Sequence, residues 1–181
     1  MRRTKKEKKQ RKAEQIKNRK LCRRYPFLIP RSRWTGKILW EYHHDKYTYP
    51  YCFTELDAME EGWRKAFGLQ MCEDIRKELI KHNFLHKYRI AQIKEKYGEL
   101  RWYDFGVPRQ GTKIWDIIEY YTELSRHVCY VCGAPAEVID DGGWLITMCP
   151  KCYEKMRKAR ERRYANYKMR QEANEQYADK N

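Results

Sequence analysis

Four cysteines carry the clearest chemical signal in this chain of 181 amino acids: Cys129 and Cys132 form one C-x2-C pair, Cys149 and Cys152 a second, and sixteen residues separate the pairs. Two residues between cysteines let a tight turn aim both sulfurs at one ion, and Gly133 permits the left-handed backbone that brings N–H groups toward thiolates. The spacing falls within that of structural zinc sites and predicts a zinc ribbon. Structural zinc is preferred here over two disulfides or four metal-free thiols, because clustered cysteines in a reducing compartment default to metal ligation. Four thiolates complete a tetrahedron and leave no position for water, so such an ion stabilises a fold and does not activate a substrate. Cys72 lies on an apolar stripe and reads as a small buried hydrophobe, not a reactive thiol.

Other catalytic readings fail at particular residues. Zinc deaminases put proline directly before the first cysteine of a C-x-x-C and pair it with H-x-E, whereas Met148 precedes Cys149 and no H-x-E occurs. Residues 106–113 (GVPRQGTK) imitate a phosphate-binding loop, but the lysine and threonine are exchanged and Pro108 removes a backbone donor. His43-His44-Asp45 could ligate a metal or supply the base of a nuclease. Adjacent residues on a strand point to opposite faces, however, and no second carboxylate motif is identifiable as a partner. The expectation is therefore that the chain is not an enzyme, with a metal-dependent nuclease using His43 or His44 kept as an alternative.

The second source of chemistry is charge. The formal net charge is +15, of which residues 1–24 carry +11 and residues 153–181 carry +4, leaving a neutral middle that holds all six tryptophans. Lys5, Lys6, Lys8, Lys9, Arg11 and Lys12 lie in an arm with no apolar face, expected to be unpacked in the free protein and helical or disordered depending on binding. It reads either as a solubility tail or as a contact for phosphates or an acidic surface, since like charges at this density repel until a polyanion relieves them. After Cys152, Tyr153, Met156, Arg160, Tyr164, Tyr167 and Gln171 fall on one helical stripe beside Arg157, Lys158, Arg162 and Arg163. Cations neutralise phosphates and phenol rings stack on unpaired bases, so Tyr164 and Tyr167 are candidate nucleic-acid contacts. Docking of that helix on its own domain accounts for the stripe equally well.

These groups need elements to position them. Residues 25–53 are aromatic and broken by Pro26, Pro30 and Pro50, which suggests turns and short strands, with 38–42 the best strand. Thr54 begins a helix with Asp57 at the reciprocal capping position. Leu56, Met59, Trp63 and Phe67, then Cys72, Ile75 and Leu79, repeat at helical spacing to a stop at Asn83, giving two helices or one kinked at Gly68. Residues 88–106 read as a hairpin turning at Tyr97-Gly98-Glu99, although Ile90, Ile93, Tyr97 and Leu100 also suit a helix. Thr112 caps a helix bearing Ile114, Ile117, Ile118, Tyr121 and Leu124. Residues 136–139 and 144–148 are strands joined through Asp140-Asp141-Gly142-Gly143.

At YPFLIPRSRWTGK, GWRKAFGLQMC, IKEKYGELRWYD and the stretch from Cys129 to Cys152, the chain resembles short, mostly uncharacterised proteins of phages and prophages of gut bacteria, over about residues 20–155. Anti-CRISPR proteins occur among small phage proteins of this size. The resemblance implies an inhibitor of a type II effector, the RNA-guided DNA nuclease, and implies no functional residues beyond the four cysteines. The fold expected is α+β: an arm (1–24), a mixed helix and strand domain (25–126), a zinc ribbon (127–152) and a basic helix (153–181). The function expected is non-catalytic binding to the nuclease ribonucleoprotein or its DNA or RNA, in the cytoplasm of a bacterial host, with no membrane partner and no small-molecule substrate. The runner-up is a phage DNA- or RNA-binding regulator or packaging accessory.

Overall fold

The computed structural model describes residues 4–39, 53–106 and 111–178. Residues 40–42 of the expected strand, His43, His44 and half of the phosphate-loop imitation (107–110) lie outside them, although Ile38 itself bridges Arg31. The architecture is α+β: helices α1 (Lys5–Arg24), α2 (Glu61–Trp63), α3 (Leu69–Lys81), α4 (Ile114–Ser125) and α5 (Pro150–Ala178), with two antiparallel hairpins, β1 (Ile90–Lys96) with β2 (Glu99–Asp104) and β3 (Glu137–Asp140) with β4 (Leu145–Met148). Among the described residues no helix is long and apolar enough to cross a membrane.

Helix α1 opens on a capping box between Thr4 and Glu7. Its side chains at 5–10 and 12–14 are exposed, as expected of a run so poor in apolar residues. The last turns depart from the unpacked arm expected of the sequence: Asn18 and Cys22 are buried, Leu21 packs against the core, and the Arg24 guanidinium meets Glu73 of α3 at 2.9 Å. Tyr25, directly after the helix, is buried and donates its hydroxyl to the same carboxylate at 3.0 Å. The arm is thus free at one end and rooted at the other.

Thr54 and Asp57 make the expected capping box, but it closes only a short 3-10 turn (Glu55–Ala58). The helical run restarts at Glu61 and passes through a π turn (Arg64–Gly68) into α3 without a break. The reason lies in the spacing of the apolar residues. Trp63, Phe67, Met71, Ile75 and Leu79 recur every fourth residue, a period longer than 3.6. A π turn absorbs one extra residue and keeps all five on the face where each is buried. The run ends in a Schellman arrangement: Asn83 has φ +52°, its N–H bonds the Ile80 carbonyl, and the Phe84 N–H bonds that of Leu79.

The β1–β2 hairpin turns on Tyr97 and Gly98, both with positive φ (58° and 77°), the pairing that suits the strands' twist. Ile93, Leu100 and Trp102 point inward and are buried. Trp102 donates to the Tyr88 hydroxyl at 3.0 Å, and Tyr88 in turn donates to Asp104 at 2.9 Å, so the polar atoms of two large buried side chains are satisfied. Helix α4 lies against this hairpin and α3 and buries Ile114, Ile118 and Tyr121; the Ser125 hydroxyl receives the Leu100 N–H at 2.8 Å. Thr112 is not its cap. That position is Lys113, whose N–H is taken at 3.0 Å by the buried carboxylate of Glu78 on α3, so a residue distant in sequence does the capping. Cys72 is fully buried, and burial pushes its thiol well up, as a core filler requires.

Candidate metal centre and basic helices

Cys129 and Cys132 sit in the turn after α4, Cys149 lies between β4 and α5, and Cys152 lies in the first turn of α5. The expected strands are present, each beginning one residue later than expected, and pair from Glu137↔Met148 to Asp140↔Leu145. The second cysteine pair belongs to a helix start, not to a second hairpin knuckle as a ribbon would have it. Pro150 explains the switch: it ends the ladder and presets the first helical residue. The four sulfurs lie within 4.8 Å of one another, with 3.7 Å between Cys132 and Cys149, and none of these four is in a disulfide. These four residues can hold one metal ion.

The electrostatics of the cluster favour a thiolate at Cys129. Burial pushes its thiol up, but backbone N–H groups of Cys149, Cys132 and Val131 donate to the sulfur and outweigh burial, bringing it down to about 7. Gly133, at φ +84°, provides the turn that aims such donors, as its position after the first pair predicts. Burial and the neighbouring sulfurs push Cys152 up to about 12 without an ion. The negative charge is thus held first by the turn and would be shared once a cation arrives.

The cluster is clamped to the larger core by backbone contact. The Gly62 N–H donates to the Tyr130 carbonyl at 2.7 Å, and a Cβ on Gly62 would stand 2.1 Å from the Cys129 carbonyl oxygen. The Trp63 indole N–H donates to the Val128 carbonyl at 2.7 Å. On the other side, the Thr147 hydroxyl donates to the Gly98 carbonyl at the β1–β2 turn. Sequence reasoning alone misses Gly62; a glycine at a helix start, directly before a buried tryptophan, is the only signal.

Helix α5 divides in two. Tyr153 donates its hydroxyl to Asp141 in the β3–β4 turn at 3.1 Å, Met156 packs on the cysteine cluster, and Arg160 grips the same carboxylate with both terminal nitrogens. Arg160 thus helps dock the first part of α5 on the β3–β4 turn, the docking role that the sequence allowed for this stripe. Arg157 pairs with Glu161 and Lys158 with Glu154 along the exposed helix surface. Over residues 161–172 the helix is bare: Arg162 and Arg163 are exposed, and Tyr164 and Tyr167 are 70% and 60% exposed. Lys5, Lys6, Lys8, Lys9 and Lys12 are likewise exposed on α1, which also carries Arg11. The tyrosine stripe thus serves docking at its first end and faces solvent at its second.

No protein family, curated protein or solved structure matches the chain.

Proposed function

We propose that this is a non-catalytic binding protein, in which a structural zinc ion held by Cys129, Cys132, Cys149 and Cys152 aims a basic helix at a partner rich in nucleic acid. The donor set supports zinc. Four thiolates at the usual bond length of about 2.3 Å stand about 3.8 Å apart at the corners of a tetrahedron, and the 3.7 Å between Cys132 and Cys149 suits that edge. When bound, the ion supplies cohesion between the first turn, β4 and α5. The chain's own residues do the rest: Gly133 and its neighbours present N–H groups to sulfur, and Gly62 and Trp63 hold the turn on the core.

The observation that carries the functional reading is the division of α5 at Arg160. A helix that only completed its own fold would have no reason to continue for several turns with exposed tyrosines and arginines. The most specific partner we propose is the guide-loaded RNA-guided DNA nuclease, which combines RNA with channels built for a polyanion. Trp34, Trp115 and Trp144, exposed by 96%, 61% and 78%, favour a partner with protein surface, because indoles are effective anchors in such interfaces. The bare basic end of α5 favours the second reading, a regulator or packaging accessory that binds free DNA or RNA.

A salt titration on the assembled nuclease, free guide RNA and target DNA in parallel separates the two. The inhibitor should hold the assembled effector at salt that releases free nucleic acid, and DNA cleavage should fall. Binding to the effector no tighter and no more salt-resistant than to its nucleic acids leaves the regulator as the account.

A further inference from the structure

We propose that the outward face of the β1–β2 hairpin is a second binding surface, for single-stranded nucleic acid, separate from the basic helices. The inference rests on the reading that the protein is directed at nucleic acid. The register puts Gln92 opposite Tyr103, Lys94 opposite Arg101 and Lys96 opposite Glu99 on the side facing away from the core. Tyr97, Tyr103 and Phe105 are exposed by 63%, 43% and 59%. A two-stranded sheet gains from burying such rings, yet here the buried face is the other one, carrying Ile93, Leu100 and Trp102.

The charge pattern selects the occupant. Glu99 is already paired, to Arg101 at 2.5 Å and Arg126 at 3.3 Å, whereas Lys94 and Lys96 are in no ion pair with a described residue. Each lysine instead stands over a ring: Lys94 Nζ lies 5.5 Å from the centre of Tyr103, and Lys96 Nζ 4.8 Å from that of Tyr97. Cations interleaved with exposed rings make a platform on which bases stack while phosphates meet ammonium groups. Tyr103 lies on β2 and Phe105 directly past its end, and the two exposed rings can each take a base. A duplex keeps its bases stacked and offers such rings nothing, so unpaired strands are the ligand. The neutral total charge of the middle of the chain hides this face, where Lys94, Lys96 and Arg101 outnumber the one acid, Glu99.

The test compares fluorescein-labelled oligo-dU, oligo-rU of equal length and a blunt duplex, titrated with the zinc-loaded protein and its variants. Tyr103→Ala and Phe105→Ala should each weaken binding of the single strands about fivefold or more, leave duplex binding unchanged and leave the melting temperature unchanged. Tyr103→Phe should retain wild-type affinity, since the ring and not the hydroxyl stacks, and the tighter of the two oligonucleotides identifies the natural sugar. Should an alanine variant fold poorly, Lys94→Gln with Lys96→Gln provides the same comparison by weakening single strands selectively. Single-strand affinity unchanged in the ring and lysine variants overturns this inference alone. If Arg162→Glu with Arg163→Glu leaves duplex binding untouched while the ring variants behave as expected, the role given to α5 fails and the hairpin surface stands. Wild-type protein that binds none of the three overturns both.

Discussion

Replacing Gly62 by alanine adds one methyl group at the place where the cysteine turn meets the core. That Cβ would lie 2.1 Å from the Cys129 carbonyl oxygen, 2.7 Å from the Gly133 nitrogen and 2.7 Å from the Tyr130 carbonyl carbon, all main-chain atoms that cannot rotate away. The turn must back off, which strains or breaks the 2.7 Å bond from the Gly62 N–H to Tyr130 and the 2.7 Å bond from the Trp63 indole to Val128. Two such bonds contribute about 0.5–1.5 kcal/mol each and overpacking adds about 1–3 kcal/mol. Alanine's better helix propensity returns at most about 1 kcal/mol. The expected net loss is about 2–4 kcal/mol, or about 5–15 °C in melting temperature for a chain of this size. Gly68→Ala is the control on the same helical run. Its Cβ would meet only side-chain atoms of Met59, Leu56 and Arg64 at 3.3–3.5 Å, so it should stay within about 1 kcal/mol of wild type. Differential scanning calorimetry of both variants with saturating zinc decides the matter. A Gly62→Ala protein that melts within about 2 °C of wild type refutes the clamping of the turn by main-chain contact.

Three further outcomes are expected. Cys132→Ser should lower bound zinc well below one per chain and reduce thermal stability, read by elemental analysis and a thermal melt; wild type purified with well under one zinc would contradict the centre's identity. Deleting residues 1–14 should leave the melting temperature unchanged and flatten the salt dependence of nucleic-acid binding, by about 0.9 in log–log slope for each duplex phosphate that the arm no longer neutralises. Deletion through Arg24 should also destabilise the fold, because it removes the buried Asn18 and Cys22 and the ion pair to Glu73. Glu78 is held at about 2, first by the Lys81 ammonium and the Lys113 N–H. A lowered carboxylate contributes stability that is present above its unfolded value of 4.5 and lost as pH falls toward about 2. Glu78→Gln should therefore be less stable than wild type in urea melts at pH 7, with the gap closing between pH 4.5 and 2; a gap independent of pH refutes it.

Features of this fold that depend on neighbouring residues are legible in the sequence, and features that depend on distant ones are not. Tyr97-Gly98 announces a hairpin, Asn83 a helix end, and Asp57 a capping partner, since each acts within three or four residues of itself. The cysteine spacing likewise announces a cluster that can hold one ion, but not that its second half starts a helix. Thr112 resembles a cap because threonine often is one, whereas Glu78 reaches across from α3 to do that work. The arm looks unpacked because three apolar residues cannot make a face, and the sequence offers no sign that Asn18 and Cys22 have a wall to lean on. Arg160 reads as a phosphate contact, and nothing near it in the sequence hints that Asp141 also meets it. His43 and His44 lie outside the described residues.

Helix α5 has mechanical properties as well as chemical ones. Its 29 residues make a rod about 44 Å long, rooted through Cys149 and Cys152 at one end and braced by Arg160 about a third of the way along. A rod magnifies any error at its root: a tilt of about 10° there displaces the tip by about 8 Å, more than the spacing between neighbouring phosphates. The pointing accuracy of Tyr164 and Tyr167 is thus set by sulfur positions well behind them in the chain. On the proposal that these sulfurs hold an ion, removing it should alter not only how much protein is folded but where its far end can be found.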